Sequence, residues 1–169
     1  IARYSAEISI VTFGPVRKET DFQTLDQNCH APVLASSGNT PMGEAVKLSL
    51  DSLESRRREY RNNGVDGYKP WLVLMTDGAP CGGSQSVLEQ QITRVELGEL
   101  AVFPIGIGAN ADMNILARFS PGRPPLKLKG LNFREFFTWL SKSVSKVSQS
   151  TPGDVVPLDV EGLKGWAEL

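Results

Sequence analysis

The sequence predicts an α/β protein with a mostly parallel, doubly wound sheet, helices on both faces and one antiparallel edge hairpin. Short apolar runs alternate along the chain with segments of helical periodicity, as they do in βαβ units. The run from Trp71 to Met75 is wholly apolar, which is typical of a strand buried on both faces. The chain has 169 residues, of which 40% are hydrophobic, and this is enough for the core of one domain.

The composition argues against nucleic-acid and membrane partners. The formal net charge is −1, so no basic field attracts nucleic acid or an anionic membrane. No apolar run approaches the ~20 residues that a membrane span needs. Cys29 and Cys81 are the only cysteines, which is too few for a disulfide framework. Free thiols suit a reducing compartment, and we expect a cytoplasmic protein.

The first predicted elements are the two strands of the hairpin. Residues Glu7 to Phe13 form a β-branched run that ends at Gly14-Pro15, which indicates a strand followed by a turn. Residues Val16 to Phe22 alternate weakly and carry four charges, which suits an exposed edge strand. Residues 24 to 35 are expected to be irregular and exposed.

A helix is predicted after Pro41, extending to about Tyr60. One face is expected to be buried, with side chains at helical spacing: Met42, Ala45, Val46, Ser49, Leu50 and Leu53. The run Arg56 to Arg58 lies beside Glu54 and Glu59, and we interpret it as a solvated helix face.

Strands and helices alternate through the rest of the chain. They are predicted over Trp71 to Met75 (strand), Ser86 to Leu97 (helix), Ala101 to Ile107 (strand), Asp112 to Phe119 (helix), Leu126 to Leu128 (strand) and Asn132 to Ser148 (helix). Pro104 counts against the second of these strands because proline cannot donate to a ladder, but the flanking residues are strongly apolar. Asp112 is the expected cap of its helix.

The last helix and the residues after it complete the predicted domain. The inward side chains of the helix are expected to be Phe136, Phe137, Leu140, Val144 and Val147. Proline and glycine recur from Thr151 onward, which is typical of a loosely packed segment. We therefore expect one domain over residues 1–150 and a C-terminal tail over residues 151–169 that packs on it, anchored by Trp166.

The loop before the first helix, residues 36 to 44, admits two interpretations. In the functional one, Thr40 offers its hydroxyl oxygen to a cation, and Gly38 lets the backbone turn closely. In the structural one, Thr40 caps the helix and Pro41 occupies its favoured first position. The residues alone satisfy the structural interpretation.

The loop Thr76-Asp77-Gly78 ends a buried strand, and it also admits a functional and a structural interpretation. In open α/β sheets, ligands bind in the crevice at the carboxyl ends of the strands, where the Asp77 carboxylate is expected. Hard cations such as Mg²⁺ prefer such oxygen ligands. Asp-Gly is also a common pair in ordinary turns.

Several stretches together resemble the von Willebrand factor A family: EISIVTFG, SGNTPMGEA, PWLVLMTDGAP and FPIGIG. The resemblance covers nearly the whole chain in the expected order. It is closest to bacterial intracellular members, including those encoded beside tellurite-resistance genes. The run Phe136 to Ser141, Pro152-Gly153 and Gly165-Trp166 also resemble that subgroup.

The resemblance implies a Rossmann-like sheet with a metal-ion-dependent adhesion site, which is a binding site and not an enzyme active site. In that site Mg²⁺ or Mn²⁺ lies on three loops above the sheet, and a carboxylate of a partner protein fills an open coordination position. Thr40 and Asp77 match two of its ligands, with Gly38, Asn39 and Gly78 beside the metal. For the tellurite-associated relatives, the implied partners are kinase- or phosphatase-like proteins, or stress-response complexes.

The third loop of that site, Asp-x-Ser-x-Ser after the first central strand, is not matched. The order of elements in the family places it about one strand and one helix before Glu7, where this chain has only six residues. The stretch Asp51 to Ser55 fits the letters poorly and falls in mid-helix. We therefore expect the first central strand and helix to be missing, or supplied by an upstream segment, a separate chain or a partner. Two oxygen donors are too few for tight Mg²⁺ binding.

Two other functions remain open on the sequence. One is a metal-independent scaffold, in which the incomplete site has a structural role only. The other is a nucleotide-binding hydrolase that uses Asp77 as nucleophile or metal ligand. Gly106-Ile107-Gly108 is too short for a dinucleotide fingerprint, and His30 is the only histidine, which leaves neither a Ser-His-Asp set nor a zinc site.

Overall fold

The computed structural model describes residues 6–24, 30–35, 37–79, 81, 93–158, 161–163 and 165–168. The chain divides into two compact units. The first consists of Ile1–Gly67 with Pro80–Val87, and the second of Tyr68–Ala79 with Leu88–Leu169. Among the described residues, each unit contains its own sheet, of two strands in the first and four in the second.

The sheet of the first unit is the predicted hairpin. Strand β1 (Glu7–Thr12) pairs antiparallel with β2 (Arg17–Thr24), and Gly14 turns between them with a φ of 96°. The register shifts on both sides of Ile10. There the Thr20 hydroxyl accepts from the Ile10 N–H at 3.0 Å, so a side chain satisfies a backbone donor where the ladder is irregular. Among the described strands, β2 is the only partner of β1.

Helix α1 (Met42–Asn62) packs against both strands of the hairpin. The predicted face is largely confirmed, since four of its side chains are buried: Met42, Ala45, Val46 and Leu50. The interpretation of the arginine run as a solvated face holds for Arg58, which is exposed, but is wrong for Arg56. The Arg56 guanidinium donates from Nε to Glu7 Oε2 at 2.7 Å, and both side chains are partly buried.

The sheet of the second unit is dominated by parallel pairing, which confirms the predicted α/β class. Its strand order is β3 (Trp71–Thr76), β4 (Ala101–Ile107), β5 (Leu126–Leu128) and β6 (Ala167–Glu168). The first three strands run parallel, and β6 pairs antiparallel with β5. Among the described strands, β3 pairs with β4 alone.

Pro104 lies inside β4, opposite Leu74 of β3. The ladder between β4 and β5 begins only at Ile105, so the missing N–H of the proline removes no bond from that ladder. Pro104 is fully buried. The apolar character of the segment therefore favours the strand more than the missing N–H of the proline disfavours it.

Helices α2 (Met113–Arg118) and α3 (Phe133–Val147) cover opposite faces of β4. Side chains alternate along a strand, so Phe103 and Ile105 share one face and Gly106 lies on the other. Phe103 and Ile105 pack in the core with Phe136 of α3. A side chain at Gly106 would instead meet residues of the α2 segment, among them Ala111 at 3.0 Å.

The buried face of helix α3 is narrower than the sequence predicts. Phe136 is fully buried, but Phe137 is 50% exposed, so the prediction that Phe137 faces inward is wrong. Adjacent helical residues point about 100° apart, and the core stripe follows Phe136, Trp139 and Ser143 instead. Asp112 caps α2 as predicted, since its carboxylate accepts from the Ile115 N–H at 3.0 Å.

The residues near the C terminus take part in the core of the second unit. Trp166 is buried and lies 6.0 Å from Phe136 and 6.2 Å from Trp139, measured between ring centroids. It follows a short 3₁₀ helix (Glu161–Leu163), and its indole N–H donates to the Gly162 carbonyl at 2.6 Å. Strand β6 was not predicted from the sequence.

The helix predicted over Ser86 to Leu97 is described only in part. Residues 93–96 are helical, and residues 82–92 lie outside the described part of the chain. In the part that is described, no helix combines the length and the apolar character needed to cross a membrane.

Candidate metal site

The loop before α1 is held against the hairpin turn of the first unit. The Ser37 N–H donates to the Gly14 carbonyl at 2.9 Å. A Cβ on Gly14 would lie 2.8 Å from the Ser37 oxygen and 2.9 Å from the Asn39 oxygen, which is closer than real Cβ atoms approach. Gly14 also has a positive φ, so both the conformation and the close approach of the loop require glycine there.

Cys81 holds the same loop from another segment of the first unit. Its backbone N–H donates to the Thr40 carbonyl at 2.9 Å, and the Thr40 N–H donates to its Sγ at 3.0 Å. Both backbone polar groups of Thr40 are therefore satisfied by one residue, which positions the threonine while leaving the role of its hydroxyl open.

The structure overturns the capping interpretation of Thr40. Helix α1 begins at Met42, so Pro41 and not Thr40 occupies the cap position, and no described side chain makes a cap hydrogen bond. Proline has no hydroxyl or carboxylate to cap with, and the Met42 N–H instead donates to the Thr40 carbonyl at 2.8 Å. The half-buried Thr40 hydroxyl is thus not used to begin this helix.

The Asp77 loop closes the carboxyl end of β3 in the second unit. Thr76 is buried, and its hydroxyl binds the backbone of Gly78. The hydroxyl accepts from the Gly78 N–H at 3.3 Å and donates to the Gly78 carbonyl at 3.2 Å. This local turn leaves Asp77 exposed at the strand end, in the position that α/β sheets use for ligands.

The predicted ligands have the chemistry that a hard cation prefers, but two side chains are fewer than such a cation needs. A threonine hydroxyl and an aspartate carboxylate are oxygen donors of the type that Mg²⁺ and Mn²⁺ prefer. Thr40 lies in the first unit and Asp77 in the second. Among the residues that the structure describes, no group of three or more His, Cys, Asp or Glu side chains could hold a metal.

The other residues predicted near the metal occupy the same two loops. Gly38 and Asn39 are exposed in the first, and Gly78 is half-buried in the second. Asp51 and Ser55 lie inside α1, which agrees with their rejection as the missing metal loop.

Sequence reasoning missed the two residues that position the Thr40 loop. The sequence places Gly14 in a turn and Cys81 just after the Asp77 loop, but neither pattern predicts a contact with the Thr40 loop. Their contacts span 23 and 41 positions in the chain, so no local pattern could have revealed them.

A comparison with protein families gives a match for the chain. The model of the von Willebrand factor type A domain matches residues 1–134, which is more than half of the 169 residues. Searches of curated proteins and of solved structures found no match. The alternation of parallel strands and helices described above agrees with this domain, and the chain belongs to the von Willebrand factor type A domain family.

Proposed function

We propose that this chain is a metal-ion-assisted protein-binding module and not an enzyme. Thr40 and Asp77 each contribute one oxygen ligand to Mg²⁺ or Mn²⁺, and an acidic side chain of a partner protein binds at the same place. The observation that carries the proposal is the exposed Asp77 at the carboxyl end of the parallel strand β3, the position at which α/β sheets bind ligands.

The proposal assigns a limited role to each group. A divalent ion with an open coordination position supplies a strong attraction for a carboxylate. Thr40 and Asp77 orient that ion, and the neighbouring Gly38, Asn39 and Gly78 contact the partner. Gly38 and Asn39 are exposed, which leaves them accessible to a protein surface.

We further propose that the central strand and its Asp-x-Ser-x-Ser loop come from another segment or chain. Among the described strands, β1 and β3 each have a partner on one side only, and such edges accept an added strand. The finer assignment, to cytoplasmic bacterial proteins of the tellurite-resistance type with kinase- or phosphatase-like partners, rests on the residues that resemble that subgroup.

A metal-independent scaffold is the second candidate. It is favoured by the absence, among the described residues, of three or more clustered metal-binding side chains of the His, Cys, Asp and Glu types. The two candidates differ in one measurable respect, which is whether a divalent ion binds at both loops.

The test is Mn²⁺ titration of the isotope-labelled chain, followed by NMR. Paramagnetic Mn²⁺ broadens the signals of nearby amides even when it binds weakly. We expect broadening around Thr40 and around Asp77 together, and its loss at both loops in Asp77→Asn and in Thr40→Val. Added Mg²⁺ should compete and restore the signals.

The matched control is Asp66→Asn, which removes an exposed aspartate of the first unit. Broadening should persist in that variant. Broadening at one loop only, or broadening that survives Asp77→Asn, would overturn the shared site and leave the scaffold as the better account.

A further inference from the structure

The second unit contains a small cavity with two cationic side chains in its wall. Its volume is about 130 Å³, and it is lined by Lys69, by Arg123 and by Ser120, together with the residues that begin β4. The walls that the structure describes include no carboxylate. Two like charges that share a small cavity repel each other, and that arrangement favours an anion between them.

Arg123 is the more unusual of the two cations. Its guanidinium carbon lies 4.2 Å from the centroid of the Phe103 ring, and its Nη1 is buried without a hydrogen-bond partner in the described structure. Burial also lowers the pKa of Arg123. Stacking on an aromatic ring recovers part of the cost of burying the charge, but an orphaned N–H still costs free energy.

The remaining lining suits a small polar ligand. Ser120 is 4% exposed and brings a hydroxyl that can donate or accept. Lys69 is exposed, so its flexible side chain can turn toward a ligand in the cavity at a small cost in free energy. The backbone N–H of Arg123 donates to the Ser120 carbonyl at 3.0 Å, which ties the two polar residues together.

We propose that this cavity binds an oxyanion of the phosphate class, held by Arg123 and Lys69. Two positive charges match a phosphate dianion, and the guanidinium fork fits two of its oxygens. The volume of about 130 Å³ lies below the ~300 Å³ at which pockets for larger ligands begin, which favours a small anion over a nucleotide.

The site is separate from the proposed metal site. Ala101 and Val102 in its wall begin β4, whereas Asp77 follows the carboxyl end of the parallel strand β3. The two positions lie at opposite ends of the same strand pair. A variant that loses phosphate binding is therefore not expected to lose metal binding, and the reverse also holds.

Calorimetric titration of the full chain with inorganic phosphate tests this proposal, with sodium chloride of equal ionic strength as the reference. We expect Lys69→Gln and Arg123→Gln each to weaken phosphate binding by about tenfold or more. The matched controls are Lys142→Gln and Arg134→Gln, which remove exposed cations from α3 in the same unit. These controls should bind phosphate as the wild type does.

Arg123→Lys protects the test against a folding defect in Arg123→Gln. It keeps the charge near the Phe103 ring but removes the two-pronged donor, so phosphate affinity should still fall while the protein stays folded. Phosphate binding that is unchanged in both Lys69→Gln and Arg123→Lys overturns the proposal. A response equal to that of sodium chloride overturns it as well.

The same assay distinguishes the sources of the phosphate group. Tighter binding of O-phosphoserine than of inorganic phosphate supports a phosphate carried on a protein, and the reverse supports the free ion. Binding of acetate in preference to both would overturn the phosphate assignment.

Discussion

One carboxylate joins the first strand of the hairpin to the first helix. Glu7 accepts from Arg56 at 2.7 Å and 2.5 Å through its two oxygens, an arrangement that fixes both side chains. Hydrogen bonding to Arg56 lowers the pKa of Glu7 more than burial raises it. Hydrogen bonding to Glu7 is likewise the main cause that raises the pKa of Arg56.

The pair gives a prediction about stability and pH. Because the pKa of Glu7 is lower in the folded state than in the unfolded state, its contribution is present above the unfolded pKa of about 4.3. That contribution is lost as the pH falls through the folded pKa. We expect Glu7→Gln to lower the free energy of unfolding by about 1 kcal/mol at neutral pH and by little in acid.

Urea unfolding at several pH values measures this difference. The control is Glu59→Gln, because Glu59 contacts the same Arg56 but its side chain is 56% exposed. The control should change stability less than Glu7→Gln does. An equal loss in Glu7→Gln at neutral and acid pH would show that the charge of Glu7 is not the cause.

At this scale, what could be predicted from the sequence depended on distance along the chain. The cap at Asp112 was predictable because its bonded partner lies three positions away. The partner of Arg56 lies 49 positions away, so the arginine run was interpreted from its neighbouring glutamates alone. Thr40 could be proposed as a ligand from its motif, but its contact with Cys81, 41 positions away, could not be predicted.

Strand β4 is packed on both faces, against Phe136 of α3 on one and against the α2 segment on the other. Gly106 leaves room for the α2 segment, where an added Cβ would lie 3.0 Å from the Cβ of Ala111 and nearer still to the Met113 sulfur. We expect Gly106→Ala to lower the free energy of unfolding by about 1–3 kcal/mol, because the helix must shift to make room. Thermal unfolding followed by circular dichroism measures the loss.

Gly122→Ala is the control for this prediction, because no atom of the described residues lies within 4 Å of a Cβ at that position. It should stay within about 0.5 kcal/mol of the wild type. Equal stability of the two variants would mean that α2 does not pack closely on β4.

Helices and strands could be predicted where several consecutive residues share one hydrophobic pattern. The bounds of β4 were predicted correctly because the whole run is apolar, in spite of Pro104. Strand β6 has two residues, which is too short to carry a pattern. The predicted inward side of α3 is wrong at Phe137, which points about 100° away from the buried Phe136 and is 50% exposed.

At the scale of the whole molecule, residues far apart in the chain complete one core. Trp166 packs beside aromatic side chains of α3, and its carbonyl accepts from the Lys129 N–H at 2.9 Å. We expect Trp166→Ala to cost about 3–5 kcal/mol of unfolding free energy, which is typical for a large buried side chain. Urea unfolding monitored by far-ultraviolet circular dichroism checks it.

Phe137→Ala is the matched aromatic truncation, at a half-exposed position of α3. It should cost clearly less than Trp166→Ala. If the two losses were equal, Trp166 would not be a core residue of the second unit.

The α/β class and the parallel sheet were predictable because they depend on the order of elements along the chain. The division into two units was not, because it depends on which elements contact one another. The proposed ligands Thr40 and Asp77 could be named from recognisable motifs, whereas the contacts that hold the Thr40 loop are distant in the sequence.

The edge of β3 also bears on how the protein behaves in solution. Its residues Trp71 to Met75 are all apolar, and among the described strands only β4 pairs with them. An apolar strand with one open ladder is a template for other copies of the same chain. A net charge of −1 provides little repulsion against such self-association, so the solubility of this chain depends on whether that edge is covered.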